Sequence, residues 1–268
     1  MTISTHRMRA AALVLPFLLL TSAACDIAMA DHKQKETAEW RKTYQLQPGG
    51  RVEITNINGR IDVKPSDGNA VEIVARKTAH GPSSEAAKEA LGRIEITDES
   101  SPASVKIETK IQRGGGGLFG GSSAQVEYAI RVPRTAELHV STVNGGLEIE
   151  GIGGKISAEA TNGGIKAHDI AGPIEASTTN GGVDVDLSQV PEAGVKLECT
   201  NGGIRLRLPS SAKASISARI TNGGIDTSGL VLDATGEQSR RRLDGRLNGG
   251  GPRIELEGTN GGIRISAR

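Results

Sequence analysis

Residues 161–170 read "TNGGIKAHDI", and an Asn-Gly-Gly followed by an apolar residue can be a phosphate cradle, a calcium turn or a structural corner when it is met once. Here it recurs. Asn-Gly-Gly stands at Asn144, Asn162, Asn180, Asn201, Asn222, Asn248 and Asn260, at intervals of 18, 18, 21, 21, 26 and 12 residues. A period of 18 to 21 residues, at roughly 3.3 Å of rise per residue, makes a closed circuit of two or three short strands and their corners. Such circuits stack as a β-solenoid, in which each rung buries its apolar edge only against its neighbours.

Side-chain parity orients the rung. Before each turn the small and apolar residues step by two into the Asn, as in Leu138, Val140, Thr142, Asn144 and in Ile156, Ala158, Ala160, Asn162. This alternation predicts that Asn144, Asn162, Asn180, Asn201, Asn222 and Asn260 point inward. A buried polar group without a partner costs about 1–3 kcal/mol, so the amides would bond one another across rungs or bond the corner backbone. After the glycines the parity resets, and Leu147, Ile165, Val183, Ile204 and Ile263 again face in. The glycine pair is read as supplying the positive φ that such a corner needs. Outward positions carry Glu148, Glu150, Lys166, His168, Glu175, Asp184, Asp186, Lys196, Glu198, Arg205 and Arg207.

The first half lacks the strict period. From Trp40 the residues Trp40, Lys42, Tyr44 and Leu46 alternate as a strand, and "RVEITNINGRIDVKP" reads as a β-hairpin turning at Asn58-Gly59. One helix is expected near 84–92, with Ser83 or Ser84 as its N-cap. "SVKIETKIQ" and "QVEYAIRVP" alternate as strands, with the Gly-rich residues 113–123 between them read as a hairpin connection. Near the C-terminus, residues 239–253 break the period with Arg240, Arg241, Arg242, Arg246 and Arg253. They read as a solvated excursion over the solenoid's end, with a basic loop for anionic ligands as the alternative.

The N-terminus has the form of an export signal, with His6, Arg7 and Arg9 before an apolar core from Ala10 to Leu20. "SAAC" ending at Cys25 resembles a lipobox, in which a cysteine is lipidated, although Ser22 stands where Leu is usual. "AMA" at 28–30 fits ordinary signal peptidase and is the alternative. The expected organisation is a signal peptide over 1–25, or cleavage after 30, and a tether over 26–39. An N-terminal β-strand region would follow over 40–134, then the repeat solenoid over 135–268.

Composition narrows the function. Aromatics are 2% and glycines number 36, so many short strands packed with Ile, Val, Leu and Ala are expected. The chain carries 32 Lys and Arg against 31 Asp and Glu, and loss of a leader holding Arg7 and Arg9 moves its formal charge from +1 to −1. No field to hold a polyanion results, and no basic face with stacking aromatics is visible, which excludes nucleic acid as the natural partner. The calcium reading fails because the residues after each glycine pair do not repeat an Asp pattern, and a phosphate cradle fails for want of a helix after the glycines. Asp184 and Asp186 could pair as catalytic acids on a sugar-binding face, yet groove-building loops and aromatic platforms are missing. His139 and His168 read as surface residues, and Cys199 as a small buried residue in the column of Ala160 and Thr178. No catalytic residue, cofactor or metal is expected.

Three segments, 49–63, 128–152 and 240–265, resemble a bacterial "putative adhesin" family of β-strand-repeat envelope proteins, a domain-of-unknown-function group. The resemblance runs from about Tyr44 to the C-terminus. It implies a β-helix-like fold in a surface or envelope protein, with no catalytic residues to carry over. The reading is therefore a non-enzymatic, exported adhesin or scaffold held to a membrane through lipid on Cys25, with an envelope protein or glycan as partner. An envelope-stress accessory lipoprotein and a polysaccharide-acting β-helix enzyme are the alternatives.

Overall fold

The structure, a computed structural model, describes residues 34–112, 121–227, 229–236 and 238–268. Cys25 and the whole expected signal segment lie outside the described residues, as do residues 113–120 of the Gly-rich connection. The described chain is a β-solenoid whose rung is two short strands joined at an Asn-Gly-Gly corner. Strands β8 (Glu137–Asn144) and β9 (Leu147–Glu150) form one rung, and β10 (Ile156–Asn162) with β11 (Ile165–Ile170) the next. Two further rungs are β12 (Ile174–Asn180) with β13 (Val183–Leu187), and β14 (Val195–Asn201) with β15 (Ile204–Leu208). β16 (Ala214–Asp226) and β19 (Arg253–Ala267) run unbroken through their corners, each a rung in a single strand.

Stacking is parallel and in register, like over like. Ile156 lies opposite Leu138 and Ile174, and Asn162 opposite Asn144 and Asn180. Val195 in turn faces Ile174 and Ile254. All of these inward apolar residues are buried, along with Thr142, Thr178 and Cys199 at the end of the column. Burying one Ile, Leu or Val contributes about 1.5–3 kcal/mol. An Asn-Gly-Gly rung has few such residues and no aromatic, so its stability depends on neighbours above and below.

Asn144, Asn162, Asn180, Asn201, Asn222 and Asn260 are exposed, contrary to the parity argument. Alternation holds through Ala160 and then fails, because Thr161 and Asn162 are both exposed in succession. The strand ladder likewise skips from Ala160 opposite Thr178 to Asn162 opposite Asn180. A corner bends the backbone before its Asn, so counting by two across the bend assigns the amide to the wrong face.

The first half belongs to the same stack. β2 (Arg51–Asn58) pairs in parallel with β8 and with β6 (Ser104–Ile111). β3 (Ile61–Ser66) pairs in parallel with β9 and with β7 (Ser123–Pro133). Asn58-Gly59 is thus a rung corner between two stacks of strands and not the hairpin turn expected from the Asn-Gly signal. β6 and β7 also lie in opposite stacks, so residues 113–123 do not join hairpin partners. The boundary expected between 134 and 135 is crossed by continuous pairing.

At the N-terminal end, β1 (Gln34–Gln45) pairs antiparallel with β4 (Ala70–Gly81), which pairs with β7. Residues 34–39 of the expected tether are therefore part of a strand. On the other stack β5 (Ile94–Ser101) pairs antiparallel with β6. Lys42 and Tyr44 of β1 reach Asp98 of β5 at 2.7 and 2.9 Å, tying the two outer edges together. Helix α1 (Ser84–Gly92) packs Ala87 and Ala90 inward, its first turn capped by Ser83, whose Oγ accepts from Ala86 N.

Chain order and stacking order part company at the C-terminal end. β19 lies between β14–β15 and β16, so the last strand of the chain is an interior rung. β16 is outermost and is covered by β18 (Arg242–Leu247), which pairs with β17 (Leu232–Ala234). Asn248 stays out of the corner column: it sits in the β18–β19 connection at φ 50 and donates to the carbonyls of Ser210 and Ala212.

Candidate functional site

The corners put three columns side by side along the stack. The first is the asparagine column, where each Nδ2 donates to the Oδ1 of the rung before it. Asn144 donates to Asn58 at 2.8 Å, Asn162 to Asn144, Asn180 to Asn162 and Asn201 to Asn180 at 2.9 Å. Asn260 then donates to Asn201 at 2.9 Å and Asn222 to Asn260 at 2.8 Å. The column starts at Asn58, whose Nδ2 is bound by the Ala124 carbonyl. Asn56, buried beneath that corner, donates to the carbonyls of Asn58, Gly59 and Val126.

The second column is glycine, and its two members differ in kind. A Cβ on the first glycine would lie 1.8 Å from the Gly145 carbonyl at Gly163, and 1.7 Å from the Gly181 carbonyl at Gly202. Only glycine lets the rungs approach so closely. At the second glycine a Cβ would meet its nearest neighbour at 3.6 Å at Gly146, 3.3 Å at Gly164 and 3.8 Å at Gly262, with no positive φ. Those are ordinary or slightly tight contacts. The second glycine is thus not fixed by backbone conformation or by stacking, which corrects the reading that both supply positive φ.

The third column is charged. Register aligns Asp62, Glu148, Lys166, Asp184, Arg205, Arg264 and Asp226 one rung apart. Between this column and the second glycines runs a groove of about 560 Å³, floored by Gly164, Gly182, Gly203, Gly262 and Gly224 and walled by Lys166, Asp184, Arg205, Arg264 and Asp226.

Asp184 and Asp186 are brought together, but with arginines. Asp184 binds Arg205 at 2.9 Å and Arg207 at 3.0 Å, and Asp186 lies 3.6 Å from both Arg207 and Arg268. Each carboxylate thus faces guanidinium groups, an arrangement that stiffens the wall. His139 is half-buried and lies 3.1 Å from Glu137 of its own strand. Among the described residues, no group of three or more His, Cys, Asp or Glu side chains could hold a metal ion. Cys199 is buried, its thiol donating to the Gly181 carbonyl at 3.1 Å, and burial pushes its pKa up. A thiol so placed is a poor nucleophile.

The basic residues Arg240 and Arg241 bond to the flanks of the outermost corner. The carbonyls of Arg241 and Arg240 accept from Ile220 N and Ile225 N, and the Arg241 side chain donates to the Thr221 carbonyl at 3.2 Å. Sequence reasoning missed the groove altogether. Its signal was present as the recurrence of the second glycine through the five groove rungs, although Arg60 takes that position at the Asn58-Gly59 corner.

Stacked rungs with a laddered corner and a glycine-floored groove define a β-solenoid repeat protein. The Toastrack DUF4097 family model matches residues 133–266, half of the 268-residue chain, and the chain belongs to that family. Among solved structures it is similar to a putative cell adhesion protein from Clostridium sporogenes, at 15% identity and a TM-score of 0.47, covering 86% of this chain and 100% of that one. It is similar also to a putative adhesin from Bacteroides fragilis, at 10% identity and a TM-score of 0.38, covering 86% and 97%. No curated protein matches the chain.

Proposed function

We propose that the chain is an exported, non-enzymatic envelope protein that works by display, as an adhesin or scaffold whose groove receives an extended partner. One observation carries this reading: glycine recurs at the second position of the Asn-Gly-Gly corners although no positive φ requires it and a Cβ would meet its nearest atom at 3.3–3.8 Å. What the recurrence does secure is a groove without side chains across five rungs, lined by charges. Rungs about 4.8 Å apart match extended chains such as an envelope glycan or protein segment laid along the stack. The carboxylates that would serve an enzyme are taken up by arginines, which favours display over hydrolysis.

The basic and apolar leader and Cys25 supply the route to the envelope, with lipid on Cys25 as the membrane anchor. In-cell crosslinking of a tagged chain, followed by mass spectrometry, tests both parts. The expected result is a diacylated Cys25 peptide and partner adducts on Lys166 in the groove wall. A chain with an unmodified leader in the cytoplasm and no adducts would overturn the reading.

A further inference from the structure

The asparagine column is open at one end only, and that end is a chemical weak point. At the opposite end Asn58 is bound by the Ala124 carbonyl and Asn56 fills the space beneath. Within the column the first glycine of each corner donates its N–H to the next rung's Asn carbonyl. Gly59 donates to Asn144, Gly145 to Asn162, Gly163 to Asn180, Gly181 to Asn201 and Gly202 to Asn260, at 2.8–3.0 Å. The same direction at Gly223 leads off the stack, because β16 is the outermost rung and its pairing with β18 ends at Arg219–Arg242. The Asn222 amide donates to Asn260, and no further asparagine stacks on its Oδ1 among the described residues. Arg240 and Arg241 bond to the flanks of this corner, at Ile220 N, Ile225 N and the Thr221 carbonyl. Asn222 and Gly223 are both exposed.

We propose that Asn222 is a site of spontaneous deamidation, and that stacking protects the other corners of the column from the same reaction. The following glycine has no Cβ to obstruct attack on the Asn side chain. The Gly223 nitrogen gives up its proton and bonds to Asn222 Cγ. The Cγ–Nδ2 bond breaks, Nδ2 leaves as ammonia, and water opens the resulting succinimide to aspartate or isoaspartate. Inside the column this reaction is blocked twice, since the glycine N–H is held by the next rung and the Asn amide is held on both sides. After conversion a carboxylate oxygen at position 222 opposes Asn260 Oδ1, acceptor against acceptor, and the outermost bond of the ladder is lost. Asn260 then becomes the last intact corner of the column.

The test is peptide mapping of the folded chain during incubation at pH 8 and 37 °C, resolving aspartate and isoaspartate at each corner. Asn222 is expected to convert at least about tenfold faster than Asn144, Asn162, Asn180 and Asn201, the factor that one withheld hydrogen bond supplies. In 8 M urea the five rates should converge, since they share the Asn-Gly-Gly sequence. Equal rates in the folded chain, or slower conversion at Asn222 than at the inner corners, would overturn the proposal. So would a difference that persists in urea, because stacking would then not be its cause.

Discussion

Asn180 is held from both sides, donating to Asn162 and accepting from Asn201 at 2.9 Å each. Asn180→Ala removes both bonds from an exposed corner, and a loss of about 1–2 kcal/mol is expected in urea unfolding. Asn180→Asp should be worse than alanine at neutral pH, because its carboxylate meets the Asn162 acceptor instead of donating to it. The position of these residues was legible in the sequence, because identical words at a steady interval must stack. Their exposure was not, because parity is a property of straight strands and the bend falls before the Asn. Asp98 offers a second residue-scale test. The Lys42 ammonium at 2.7 Å, aided by the Tyr44 hydroxyl, holds its carboxyl below the usual range against the opposing effect of burial. A depressed carboxyl stabilises the fold above its unfolded pKa, roughly 4, and loses that contribution as pH falls through its lower folded value. Lys42 is about half exposed, so solvent screening keeps the effect below about 1 kcal/mol. The deficit of Asp98→Asn against the native chain should therefore be present at pH 7 and shrink below pH 4 in parallel melts.

At the scale of the corner, the two glycines should respond oppositely to one methyl group. Gly163→Ala places a Cβ 1.8 Å from a backbone carbonyl that cannot move without separating two rungs. A cost of about 3 kcal/mol is expected, read as a drop in the denaturation midpoint. Gly262→Ala, with its nearest neighbour at 3.8 Å, should stay within about 0.5 kcal/mol of the native chain. The Asn-Gly-Gly corners show both glycines alike, and only the first corner, where Arg60 follows Gly59, ranks them; the distance to the rung below gives the reason. Asn58-Gly59 illustrates the same limit. Asn-Gly between alternating strands is a good hairpin signal, yet here β2 and β3 pair with strands far along the chain. The insertion of β4, α1, β5, β6 and β7 before the next corner hides the first rung from a search for short periods.

For the whole molecule, the repeat identifies a solenoid but not the order of its rungs. Every rung has nearly the same inward residues, so the sequence permits β19 to follow β16 as a terminal rung just as well as it permits the observed insertion. The insertion has a measurable consequence. Chain ends fray unless tied down, yet Ile254 and Leu256 of β19 are fully buried between two rungs. Hydrogen exchange at these amides should be as slow as at Ile174 and Ala176 in mid-stack, and fast exchange would place β19 at the end.

The claim that the groove is the surface that receives a partner is tested most directly by filling it where the fold has room. Gly262→Val projects a branched side chain at a groove-floor position with no positive φ and no neighbour within 3.8 Å of its Cβ. The measurement is retention of the folded native and variant chains on isolated envelope, with circular dichroism to show that both keep their strands. The expected result is retention of the native chain and at least about a tenfold loss in the variant, a perturbation of the size that displacing a well-fitted contact produces. Equal retention of the two folded proteins would contradict the account.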